Sequence, residues 1–102
     1  MAELRIVNPI ALAQAATPRA NRFPPAARPQ TLEGKTIGLF WNSKAGGEIG
    51  LTRTKELLQR LYPTSKFREY FGEHGTFARR ASNAQFDSMA KDCAAVVGAT
   101  AD

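Results

Sequence analysis

Apolar and polar residues along the chain fall into three short apolar runs separated by two stretches of helical period. The first run, Thr36-Ile37-Gly38-Leu39-Phe40-Trp41, is unbroken, the pattern of a strand buried on both faces in a parallel sheet. Asn42-Ser43-Lys44-Ala45-Gly46-Gly47 follows as a polar turn whose glycines can take positive φ. From Glu48 to Tyr62 the period becomes helical. Leu51, Leu58, Leu61 and Tyr62, with Leu57 beside them, are expected on one face, and Arg53, Lys55, Glu56 and Arg60 on the others. Pro63 ends this helix, because the residue before a proline is pushed out of the α region. Ser65 to Phe71 alternates polar and aromatic residues, as a half-buried or edge strand does.

After the loop Gly72-Glu73-His74-Gly75, Thr76 is the expected N-cap of a second helix. Phe77, Ala81 and Ala84, then Phe86, Met89, Ala90 and Cys93, form two overlapping apolar stripes, with a bend or restart near Ser82-Asn83. The run Ala94 to Val97 predicts a short buried strand that passes into a loop from Gly98 to Asp102. Strand, helix, strand, helix, strand is an α/β pattern. It predicts the βαβαβ half of a Rossmann-like or flavodoxin-like doubly wound parallel sheet. Sheets commonly carry about five or six strands, so this one is expected to be incomplete, its partner strands lying past residue 102 or in another chain.

Upstream, residues 4–12 predict a short extended segment broken by Pro9. Residues 13–30 carry Pro18, Pro24, Pro25 and Pro29 among alanines and arginines, a composition that favours extended backbone. The division expected is a Pro/Ala/Arg-rich arm over 1–31 and the α/β domain over 32–102, the arm wrapping the surface without chemistry of its own.

Composition narrows the functions open to the chain. With 102 residues, 43% of them hydrophobic and 23% charged, it is one small globular domain at most. No apolar run reaches the length of a membrane span and the N-terminus lacks a secretory layout, so the expectation is a cytoplasmic protein without membrane contact. The net charge of +5 invites a polyanion. Arg19, Arg22 and Arg28, however, sit in the Pro-rich arm with only Phe23 interleaved, which argues against nucleic acid. A single cysteine, Cys93, excludes an internal disulfide, and with His74 as the one histidine no His/Cys metal site is expected within a protomer. Cys93, beside Asp92 and an apolar strand, reads as a packed thiol, and His74 as a surface residue. Trp41 suits core packing or a pocket wall.

Chemistry is expected where the first and last strands end, because ligands of open α/β sheets sit at the carboxyl ends of the strands. The first loop there, Asn42 to Gly47, is neither GxxxxGK[ST] nor GxGxxG. Its backbone N–H groups, with Ser43, Lys44 and Gly46, are candidates to hold an anion, or form an ordinary strand-to-helix turn. The second loop carries Asp102, and a nucleophile placed just after it would sit at a helix N-terminus, where a thiolate or selenolate is favoured. Within the chain no catalytic residue, metal ligand or cofactor is assigned.

Two segments, Leu32-Glu33-Gly34-Lys35-Thr36-Ile37-Gly38-Leu39-Phe40-Trp41-Asn42-Ser43-Lys44 and Asp92-Cys93-Ala94-Ala95-Val96-Val97-Gly98-Ala99-Thr100-Ala101-Asp102, resemble the opening of the UGSC-motif proteins and the stretch before their motif. That resemblance, over roughly 32–102, implies an α/β fold with selenocysteine-Gly-Ser-Cys or Cys-Gly-Ser-Cys directly after the last strand and acidic residue. It implies a selenol/thiol redox protein, its resolving cysteine three positions after the nucleophile and its substrate a small molecule or thiol. Asn42, Ser43 and Lys44 would line the facing side of the pocket. Ordinary translation reads a selenocysteine codon as a stop, so the expectation is a truncated reading of a selenoprotein gene, inactive without the motif. The alternative is a self-contained module that binds an anion or small ligand at 42–47, possible as a homodimer across the open sheet edge.

Overall fold

The computed structural model describes residues 3–6 and 24–101. The extended segment expected over 4–12 falls outside the described residues from residue 7 onward, as does the arm up to residue 23 and Asp102. Residues 24–31 carry no regular structure and are exposed.

Five elements follow in the expected order: β1 (Thr36–Trp41), α1 (Gly47–Leu61), β2 (Lys66–Phe71), α2 (Asn83–Asp92) and β3 (Ala95–Ala99). The strands form one parallel sheet in the order β2-β1-β3. The chain thus steps from β1 to one side, then crosses back to the other. Crossovers of one hand made in opposite directions place their helices on opposite faces, and the core divides accordingly. Ile37 and Leu39 pack with Leu51 of α1, supported by Leu58, Phe67 and Val97. Tyr70 packs with Ala81 and with Met89 of α2, supported by Phe40 and Cys93. The fold is the α/β, βαβαβ half of a doubly wound sheet, incomplete as expected.

Central β1 is apolar on both faces because both are covered, and Ile37 is 1% exposed. Gly38 is needed there. A Cβ on it would lie 3.1 Å from Cys93 Sγ and Val96 Cγ2 and 3.4 Å from a Tyr70 ring carbon. Strand β2 is an edge strand, burying Phe67 toward one face and Tyr70 toward the other.

Three expectations need correction. In α1, Leu51 and Leu58 reach the sheet, whereas Leu57 and Leu61 are 43% and 69% exposed. Each residue turns the helix by about 100°, which carries Leu57 and Leu61 about 120° and 80° off the Leu51–Leu58 line. The second helix does not begin at Thr76; it begins at Asn83, where the restart near Ser82-Asn83 was expected. Ser82 accepts the Gln85 N–H at 3.1 Å while the Gln85 side chain accepts the Ser82 N–H at 3.1 Å, a reciprocal capping box. Phe77, expected on an apolar stripe, is 80% exposed in the loop that precedes the cap. Strand β3, expected to be buried, is half-exposed, since β1 alone flanks it among the described residues.

Candidate functional site

The chain steps from β1 to β2 on one side and to β3 on the other, and this reversal of strand order opens a crevice at the carboxyl ends of β1 and β3, where an α/β sheet places ligands. Three loops meet there, and Asn42 joins them. Its backbone N–H donates to Ala99 O (3.3 Å), one step past the last β1–β3 pair, Trp41 with Ala99. Its carbonyl accepts the Arg79 N–H (2.9 Å), tying in the 72–82 loop. Its side-chain amide donates to Ala101 O (3.1 Å) and accepts from Ala101 N–H and Lys44 N–H (3.3 Å each). Asn42 is buried, and every polar atom of it is used. It shapes the crevice from beneath.

Ser43, Lys44 and Gly46 lie together on the loop between β1 and α1. Ser43 is exposed, with φ of 68°. Lys44 is half-buried; its carbonyl accepts the Trp41 indole N–H (2.6 Å), and its Nζ lies 5.6 Å above the Phe77 ring. Gly46, with φ of 101°, caps α1 without a side-chain hydrogen bond. Gly47 lets the indole lie against the turn, since a Cβ there would be 2.8 Å from it. The Glu48 carboxylate accepts the Gly46 N–H (3.0 Å). An anion approaching the N-terminus of α1 therefore meets a carboxylate of the chain's own, which opposes it. Asp102, expected on the facing loop, lies outside the described residues.

The 72–82 loop, expected to be a loop only over Gly72 to Gly75 and helix from Thr76, is the third wall. Glu73 and His74 donate backbone N–H groups to Arg80 O (3.0 and 3.1 Å), and Arg80 N–H returns one to His74 O (2.8 Å). The Ser82 hydroxyl donates to the Glu73 carboxylate at 2.7 Å. Gly72 passes so close to Arg79 that no Cβ would fit between them. The paired glycines Gly72 and Gly75 and the Ser82-x-x-Gln85 spacing were the signals for this loop.

Two hollows flank the crevice. One of about 240 Å³ lies under α1 among Leu39, Trp41, Leu51 and Phe71. The other, about 340 Å³ and mainly apolar, lies on the α2 face among Phe40, Phe86, Met89, Val96 and Gly98. On the α2 face of the sheet the Tyr70 hydroxyl lies 3.2 Å from Ser88 Oγ and 3.6 Å from Cys93 Sγ. The Ser88 hydroxyl, the largest influence on Tyr70, favours its phenolate, but burial and the neighbouring Cys93 outweigh it and raise the phenol pKa. Cys93 is half-buried against this ring and β1, and His74 is exposed. Among the described residues no three His, Cys, Asp or Glu side chains come together as a metal site. No helix among them is long and apolar enough to cross a membrane.

No significant match is found among curated proteins or among solved structures. The model of the UGSC family matches residues 5–102, nearly the whole length, and the two segments that frame the crevice lie inside that match. The chain belongs to the UGSC family.

Proposed function

We propose that this chain is the scaffold half of a selenol/thiol exchange protein whose reactive pair follows Asp102. The observation that carries the reading is the position of Ala101, held by Asn42 at the β1/β3 crevice where ligands of this fold class bind. On this reading the reactive pair would enter that crevice. A selenol or thiol there, at the start of a following helix, ionises readily because unsatisfied N–H groups and the helix dipole favour the anion.

The chemistry is an exchange with a disulfide partner, a small molecule or the oxidised form of a thiol. The selenolate or thiolate attacks one sulfur of a substrate disulfide, breaks the S–S bond and releases the other sulfur as thiolate. A cysteine three positions on then attacks the mixed bond as its thiolate. It closes an internal Se–S or S–S bond and frees the second substrate sulfur. The pair gives up two electrons and the substrate takes up two. A reducing cytoplasm suits such a pair. Asn42 to Lys44 and the 72–82 loop form the walls, and the chain as written carries no exchange activity.

The test is to sequence the gene past the Asp102 codon and weigh the native product. TGA followed by Gly-Ser-Cys codons, with a product well above 11.1 kDa, is the expected result. A true stop and a native mass of 102 residues would refute it.

A further inference from the structure

We infer that Asn42 is a positioning residue that sets the path of the chain leaving β3, and through it the place of the reactive group. The inference rests on the exchange reading for its second half and on geometry alone for its first.

Backbone pairing between β1 and β3 ends at Trp41 and Ala99, closed by the Asn42 N–H to Ala99 O. Past a last ladder bond a loop ordinarily loosens, since nothing further holds it. Here the Asn42 carboxamide takes the place of the next peptide group. Its Nδ2 donates to Ala101 O and its Oδ1 accepts the Ala101 N–H, so one side chain satisfies both backbone groups of one residue. Few side chains can do this. The carboxamide pairs a donor and an acceptor on one planar group at the reach of a single methylene. The same Oδ1 holds Lys44 N–H, and the Asn42 carbonyl holds Arg79 N–H, so the exit of β3 is fixed relative to both other walls. At 6% exposure this pairing is shielded from competing water. Asn42 was expected to touch ligand; its engaged atoms assign it to holding the loop instead.

Replacing Asn42 by Asp tests this without changing size or shape. At neutral pH the carboxylate still accepts from Ala101 and Lys44, but it sets an oxygen against Ala101 O where a donor stood. Protonation returns a donor and an acceptor to the same two places. Amide hydrogen exchange in the native gene product is the first measurement. Repulsion between the carboxylate and Ala101 O is expected to push the loop off its acceptor, so that Asn42→Asp loses about ten-fold of the Ala101 protection at pH 7 and regains it near pH 4, where a carboxyl protonates. Asn42→Ala should lose it at every pH; if that variant does not fold, Asn42→Asp carries the test. Unchanged protection at pH 7, or no recovery in acid, overturns the clamp.

The second measurement is the pH dependence of iodoacetamide alkylation in the same protein, with peptide mapping to separate Cys93. The expected result for Asn42→Asp is an upward shift of the reactive group's midpoint and about ten-fold slower reaction at pH 7. A reactive group untouched by the substitution overturns the positioning role while leaving the exchange reading intact. A wild-type protein with no fast-reacting group overturns the exchange reading and this consequence with it, and the clamp is then judged by the Ala101 amide alone.

Discussion

Ser82→Ala should destabilise the protein by about 2 kcal/mol, and Thr76→Ala should leave it unchanged. The Ser82 side chain makes two bonds: it accepts the Gln85 N–H at 3.1 Å and donates to the Glu73 carboxylate at 2.7 Å. Loss of an N-cap oxygen costs about 1 kcal/mol. A hydrogen bond to a carboxylate contributes about 1.5–3 kcal/mol when well shielded; Glu73 is exposed, which reduces its share to about 1 kcal/mol. For a domain of this size each kcal/mol moves the midpoint by about 4–8 °C, so thermal unfolding followed by circular dichroism should show a fall of about 8–16 °C. Thr76 is exposed in the loop and lies outside the helix, so Thr76→Ala should stay within about 0.5 kcal/mol. A Ser82→Ala/Glu73→Ala cycle separates the two bonds, with a coupling of about 1 kcal/mol expected. Equal effects at positions 76 and 82, or a Ser82→Ala loss under 0.5 kcal/mol, would refute the reasoning.

Gly38→Ala should cost about 1 kcal/mol and Gly38→Val about 2–3 kcal/mol in urea unfolding, because the added carbons press on Cys93, Val96 and Tyr70. Cys93→Ala removes one of those contacts, so its combination with Gly38→Ala should lose less than the two single changes added together. The raised pKa of Tyr70 makes a pH prediction with a definite sign. The unfolded phenol ionises near pH 10 and the folded one higher. The stabilisation is therefore full below about pH 10 and is lost as pH rises through the folded value. Tyr70→Phe should flatten that alkaline loss in a series of urea midpoints, and an identical slope in both proteins would contradict it.

The order of elements was legible because each carries its own local pattern. The apolar run of β1 and the Leu51–Leu58 spacing of α1 both depend on burial by near neighbours, and both turned out as read. The start of α2 was misread because Thr76 and Ser82 are both acceptable caps, and an apolar Phe77 after Thr76 imitates a helix stripe. What decides is the glutamine three residues after Ser82, which is a local signal, together with the bond to Glu73, which no local pattern announces. The crevice was half legible. That β1 and β3 end at one edge followed from the topology, and the loop Asn42 to Gly47 was placed there. The amide of Asn42 reaches Ala101 across 59 positions of sequence, and Arg79 reaches Asn42 through backbone alone. Such bonds depend on fold geometry and leave no trace in spacing.

The two edges of the sheet differ in composition. A solvent-facing edge strand ordinarily carries charge, which discourages pairing with another strand. Strand β2, Lys66–Phe71, has Lys66, Arg68 and Glu69, and Arg68 is paired with Asp92 at 2.7 Å. It is built as a terminal strand. Strand β3 reads Ala-Val-Val-Gly-Ala, with no charge and no proline, and its Val96 is 43% exposed. That is the composition of a strand from the interior of a parallel sheet, covered on both faces and paired on both sides. On the exchange reading, further strands would therefore be added on the β3 side. A right-handed crossover that leaves β3 away from β1 runs along the same face as α2. The apolar hollow among Phe40, Phe86, Met89 and Val96 lies on that face. A helix seated there would begin beside Ala101, so the burial of this hollow and the ordering of the crevice would be one event.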